Sequence, residues 1–118
     1  VSFNSTTVAG GLFRSPLTIA NSGGTYTMNL SNNDIFNMTA SGNVTISMGS
    51  IGASNIGQSG NIIIVNGAGV SFNPLPSNMK TPSGAQVQFV TTTGAVSIIS
   101  YYVLNAQTIL CNYIGNFA

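Results

Sequence analysis

Apolar and polar residues alternate through much of this chain, and a period of two marks a strand with one face turned to a core. Residues 25–30 set Tyr26, Met28 and Leu30 on one side; residues 35–40 do the same with Phe36, Met38 and Ala40, and residues 43–48 with Val44, Ile46 and Met48. Ser41 and Gly42 between the last two have the two-residue length of a hairpin turn, so the three segments are expected to form a meander with one apolar face. Residues 62–65 are apolar at every position, which predicts a strand buried on both sides.

Turn residues divide the rest. Residues 66–69 (Asn-Gly-Ala-Gly) lead into a strand over 70–72, and residues 73–84 carry Pro74, Pro76 and Pro82, which break any ladder. Strand alternation resumes over 86–92, with Val87 and Phe89 inward, and Gly94 turns into the longest strand, 95–104, followed by 107–114. Residues 50–60 read as a glycine-rich loop. Residues 2–8 are a possible first strand, and Pro16 places 12–20 at an edge or in a linker. No stretch pairs helical periodicity with caps. No repeat of fixed period is present, which disfavours a solenoid. The expected fold is all-β: an antiparallel β-sandwich or jelly roll of about eight to ten short strands, with residues 1–24 as an N-terminal arm or edge strands and 25–118 as the module.

The longest strands are apolar on both faces. Val96, Ile98, Tyr102 and Leu104 point one way, and Ile99, Tyr101 and Val103 the other. Next to them, Ile109, Cys111 and Tyr113 oppose Leu110 and Ile114. A solvated face alternates with polar residues. Without helices the second face needs another cover, either a second sheet or another subunit.

Composition sharpens the picture. Only Arg14, Asp34 and Lys80 carry formal charge in 118 residues, and there is no His, Glu or Trp. With one carboxylate and one thiol, neither a paired-carboxylate site nor a nucleophile with a histidine base can be built in one chain. A metal site needs a cluster of ligands that one Asp and one Cys do not make, and the glycine-rich stretches precede no helix that would hold phosphate. No catalytic, cofactor-binding or metal-binding residue is therefore assigned, and no cofactor is expected. A net charge of +1 gives no footprint for nucleic acid, and the longest apolar run is too short to insert in a membrane. Asn, Ser, Thr and Gln supply 46 residues, so neutral hydrogen-bonding groups replace surface charge. Such a surface suits permanent burial in a large assembly. Cys111 reads as a small buried hydrophobe, Asp34 as the cap of the Asn32-Asn33-Asp34 turn, and the tyrosines at 101 and 102 as core or interface packing. The N-x-[ST] sequons at Asn4, Asn29, Asn37 and Asn43 are what chance gives in so Asn-, Ser- and Thr-rich a chain.

Three segments carry a resemblance. They are Tyr26-x-Met-x-Leu30 with Phe36-x-Met-Thr-Ala-Ser-Gly-Asn-Val-Thr-Ile46; residues 57–64 (Gly-Gln-Ser-Gly-Asn-Ile-Ile-Ile) with Val70-Ser-Phe72 and a Pro-containing loop; and Gly94-Ala-Val-Ser-Ile-Ile-Ser-Tyr-Tyr-Val103 with Ile109, Leu110, Asn116 and Phe117. Together they resemble a β-rich module of tail-fibre and other virion proteins of tailed bacteriophages, notably those of aquatic bacteria. The tryptophans that flank the second segment and the terminus in relatives are missing here. The resemblance implies a non-enzymatic structural role on the virion surface, commonly as a homotrimer in contact with other virion proteins (major capsid or tail proteins). The chain length favours a capsid decoration or cement protein over a fibre. The alternative is a receptor-binding fibre tip or tailspike module that binds host-surface glycan, with contacts from loops such as 50–60 or 73–84.

Overall fold

Nine strands and two single turns of 3-10 helix make up the regular structure of residues 16–19 and 24–117, which this computed structural model describes. The strands are β1 Leu17–Ile19, β2 Thr25–Thr27, β3 Ile35–Ala40, β4 Asn43–Ser47, β5 Ser59–Asn66, β6 Ser71–Phe72, β7 Met79–Lys80, β8 Val96–Asn105 and β9 Thr108–Phe117. The 3-10 turns are Ala53–Asn55 and Pro82–Gly84. Among the described residues the structure is strand-rich with no α-helix, as β-branched residues at alternating positions favour. The first strand expected, over residues 2–8, lies outside the described residues.

Pairing departs from the antiparallel expectation. Six strands form a mixed sheet in the order β1-β3-β5-β8-β9-β7, and β2-β4-β6 form a small second sheet. β1, β3 and β5 pair in parallel, as do β2, β4 and β6; only β5–β8 and β8–β9 are antiparallel. From β1 to β6 the chain alternates between the sheets, so it winds in stacked coils. This reverses two expectations. Ser41-Gly42 is a corner between sheets, with Gly42 at φ 62°, and not the tip of a hairpin. The meander of 25–48 does not form, because β2 and β4 are neighbours in one sheet while β3 lies in the other.

The winding path leaves no fixed repeat in the sequence because the coils are unequal. Leu17 pairs with Phe36, 19 residues on, and Tyr26 with Ile46, 20 on. Phe36 then pairs with Ile62, 26 on, and Val44 with Phe72, 28 on. No fixed period survives that difference, yet the coil corners still stack. Gly67 N donates to Ala40 O at 2.7 Å, and Ser71 N to Gly42 O at 2.8 Å. Side chains reinforce the stack, with Asn73 Nδ2 on Thr45 Oγ1 at 2.7 Å.

One core lies between the sheets. Phe36, Met38, Ile62, Ile64, Ile99 and Ile109 point into it from the large sheet, and Tyr26, Val44 and Ile46 from the small one. Tyr26 also binds the two sheets at the corner: its hydroxyl donates to Thr39 O at 3.0 Å and accepts from Ser41 N at 3.3 Å. Residues 86–92 are not a strand, contrary to their alternation. They are irregular chain held by side chains: Phe89 stacks on Phe72 at 4.5 Å and meets Tyr113 edge-on at 5.0 Å, while Asn66 Nδ2 donates to Val90 O at 2.6 Å. Conversely, β7 forms inside the proline-rich stretch. It lies on the sheet edge, where one neighbour is enough.

Candidate assembly surface

Directly paired residues in neighbouring strands point to the same face of a sheet, so the register sorts the large sheet into rows. Val65, Val96 and Phe117 form one row on the side away from the core; Ile63, Ile98 and Ile114 form the next. A polar row of Asn61, Ser100 and Asn112 follows, tied by Ser100 Oγ donating to Asn61 Oδ1 at 2.9 Å. Tyr102 and Leu110 then pair, with Leu104 beyond them. Val65, Tyr102, Leu104, Leu110, Ile114 and Phe117 are exposed. No described element of the chain covers this face.

Phe117 reaches the face through a bulge. Ile98 pairs with Ile114 but Val96 pairs with Phe117, so β9 carries one residue more than β8 there. Asn116 takes the left-handed conformation, φ 65°, that such a bulge uses. Simple alternation from Ile114 would have sent Phe117 to the core side. The bulge turns it outward beside Val96, and this is why the sequence pattern did not place it on the face. Val65 was missed for another reason. Continuous apolarity over 62–65 predicts burial on both faces, but only Ile62 and Ile64 are fully enclosed, while Val65 is exposed and Ile63 half-buried.

The two faces of the long strands are as their sequence divides them. Ile99, Tyr101 and Val103 are buried, as are Ile109 and Cys111. Tyr101 and Tyr102 separate: Tyr101 enters the core and its hydroxyl donates to Asp34 O at 2.7 Å, while Tyr102 stands on the outer face. Cys111 is a reduced, buried thiol, and burial pushes its pKa up to about 12. It lies under the face, not on it.

The outer rows contain no carboxylate, imidazole or thiol. Lys80 sits at the margin, level with Leu110 on edge strand β7, a position where a charge discourages strand addition. Asp34 is at the head of β3, and Arg14 lies outside the described residues. Among the described residues no group of three or more His, Cys, Asp or Glu could hold a metal ion. Between the polar row and Tyr102–Leu110 the surface is a shallow, open depression lined by Ser100, Tyr102, Leu110 and Asn112. Three strands by four rows span roughly 400 Å² in projection at the usual strand and residue spacings. This is about half of one partner's share of a standard interface, about 800 Å², before side-chain relief is added. No protein family, curated protein or solved structure matches the chain.

Proposed function

We propose that the chain is a non-enzymatic structural module of a tailed-bacteriophage virion, displayed on the particle surface, and that it forms a homotrimer through the outer face of the large sheet. The observation that carries the assembly part is the set of apolar rows Val65–Val96–Phe117 and Ile63–Ile98–Ile114, with Tyr102, Leu104 and Leu110 beyond the polar row. Exposed apolar rows of this kind, adjoined by neutral polar groups, support an interaction site. A second copy of the chain is the occupant it fits. The rows Val65–Val96–Phe117 and Ile63–Ile98–Ile114 hold no charge and Lys80 stands only at the far margin beside Leu110, so copies can meet over these rows without like-charge repulsion, and the polar row of amides and a hydroxyl can hydrogen-bond across the contact.

The virion assignment rests on the likeness of the strand-and-turn segments to phage fibre and decoration modules, which also suggests the trimer. A surface of neutral polar groups supports it, because a protein held permanently in a particle has little need of charge for solubility. At the level of layers we read the two sheets enclosing one core as a sandwich, with the connectivity of a winding chain. Immunogold labelling of intact particles, with antibody raised against the folded chain, tests the assignment. Gold on the head supports a decoration protein and gold on the tail a fibre module. Absence of the chain from purified particles by mass spectrometry refutes both.

A further inference from the structure

We infer that the open edge of β9 is a strand-addition site for an extended, acidic segment of a different polypeptide. β7 pairs with β9 only at Ile109 and Leu110, so among the described residues 111–117 have β8 as their sole neighbouring strand. Ile109 N donates to Asn78 O at 2.7 Å, away from β8. Backbone groups two residues apart in a strand point to the same side, so the N–H and C=O of Cys111 and Tyr113 also face the open edge. The β8–β9 register runs without a shift from Ile109 to Ile114, so 111–114 is a regular stretch for pairing. The opening has a local cause. Pro82 carries no N–H to extend the ladder, and the 3-10 turn Pro82–Gly84 bends the chain off the line of β7. That turn is fixed by Gly84 N donating to Thr81 O at 3.0 Å, Ala85 N to Pro82 O at 3.1 Å, and Thr81 Oγ1 to Ala85 O. Beyond Lys80 the surface is an open notch between Thr81, Gln86, Val87 and Gln88 on one side and Asn112 and Tyr113 on the other. Tyr113 is set in place before any partner arrives: its hydroxyl accepts from Val90 N at 3.0 Å and lies 2.9 Å from Ser97 Oγ, and its ring meets Phe89 edge-on. A fixed edge reduces the ordering cost of binding.

The edge itself selects the class of occupant. A row of N–H and C=O groups without a ladder is matched by another extended backbone. Sheet edges are commonly guarded by charge or proline; Lys80 guards β7, but residues 111–117 contain neither. Charge then selects the partner. Lys80, exposed and immediately before the notch, is the one formal charge beside it among the described residues, so the incoming strand it favours brings a carboxylate. A second copy cannot supply that strand. Its single carboxylate, Asp34, leads into β3, which already has β1 and β5 on its two sides. The occupant is therefore a different polypeptide. The inference needs neither the trimer nor the virion assignment.

The test is amide NMR with hydrogen exchange on the full chain, using two end-blocked peptides of alternating valine and threonine. One carries glutamate at both ends and the other lysine, each added to about 5 mM, a ceiling that reveals millimolar binding. The glutamate peptide should give saturable shifts at residues 81–88 and 111–114, and near saturation should slow exchange of the Cys111 and Tyr113 amides about tenfold. The lysine peptide should bind up to about fivefold more weakly, the scale of an exposed ion pair. In Lys80→Glu, a change at an exposed edge position, the order of the two peptides should reverse. Unchanged exchange at Cys111 and Tyr113 with both peptides overturns the inference, as does a parent that binds the lysine peptide equally or better, or an order that Lys80→Glu leaves unaltered. Shifts confined to Ile63, Val96 and Ile98 would place the peptide on the outer face and overturn it equally. Light scattering on the same samples keeps this separate from the face contact: a trimer without slowed exchange leaves that contact standing and removes the edge site.

Discussion

Replacing Ile114 with Asp should take the trimer apart while leaving the fold standing. Ile114 sits at the β9 end of the second apolar row, paired with Ile98, and is 52 % exposed in the single chain. Complete burial of an isoleucine is worth about 1.5–3 kcal/mol, so the exposed half holds about 1 kcal/mol that only assembly can realise. The aspartate loses that and adds the cost of removing a carboxylate from water, which is several kcal/mol when no cation answers it. Lys80, the only cationic side chain among the described residues, is on β7 at the far margin, beside Leu110. Together these terms amount to about 4–6 kcal/mol per contact, a weakening of roughly a thousandfold or more. Within one chain the penalty is confined to the poor strand preference of Asp, about 1 kcal/mol. Size-exclusion chromatography with light scattering at micromolar concentration should report a trimer for the parent and for Ile114→Val, and a monomer for Ile114→Asp. The melting temperature of the variant's fold should fall by only about 4–8 °C. A trimeric Ile114→Asp at low micromolar concentration refutes the reasoning.

Gly60→Ala should damage the fold far more than its size suggests. A Cβ there would stand 1.9 Å from Asp34 O and 2.8 Å from Tyr101 Oη, so β3 and β5 must part; a urea midpoint implying a loss of about 2 kcal/mol or more checks this. The Cys111 thiol, pushed up to about 12 by burial, keeps its proton in the fold where the unfolded chain has lost it. Its contribution to stability is therefore complete below the ordinary thiol range and is lost as pH rises from about 9 to about 12. Urea midpoints at about pH 8 and pH 10.5 should fall more for the parent than for Cys111→Ala, and equal falls would contradict that. Between about pH 5.5 and 7.5, with no histidine to titrate, the melting temperature should move by less than about 5 °C.

Strand positions and inward faces were legible in the sequence because each is a local property. Phe36, Met38 and Ala40 alternate with polar neighbours, and no other element is needed to see it. Partners were not legible. Alternation names the face of a strand and not the strand beside it, so the Ser41-Gly42 step could be a hairpin or a corner. Coils that grow from 19–20 to 26–28 residues removed the period that would have decided it. Residues 86–92 misled for a related reason: Val87 and Phe89 do alternate, but Phe89 is fixed by rings and not by a ladder. The assembly surface was half visible. Tyr102, Leu104, Leu110 and Ile114 followed from doubly apolar strands, whereas Val65 and Phe117 required a register and a bulge that only the folded chain defines.

The central claim, that copies meet through the outer face of the large sheet, is tested most directly by hydroxyl-radical footprinting read by mass spectrometry over a dilution series. Ile56, exposed but away from the apolar rows, is the internal reference. Tyr102, Leu110, Ile114 and Phe117 should be protected relative to Ile56 at high concentration and become labelled together as the protein is diluted. Labelling of these four at the same rate as Ile56 at every concentration would contradict the account.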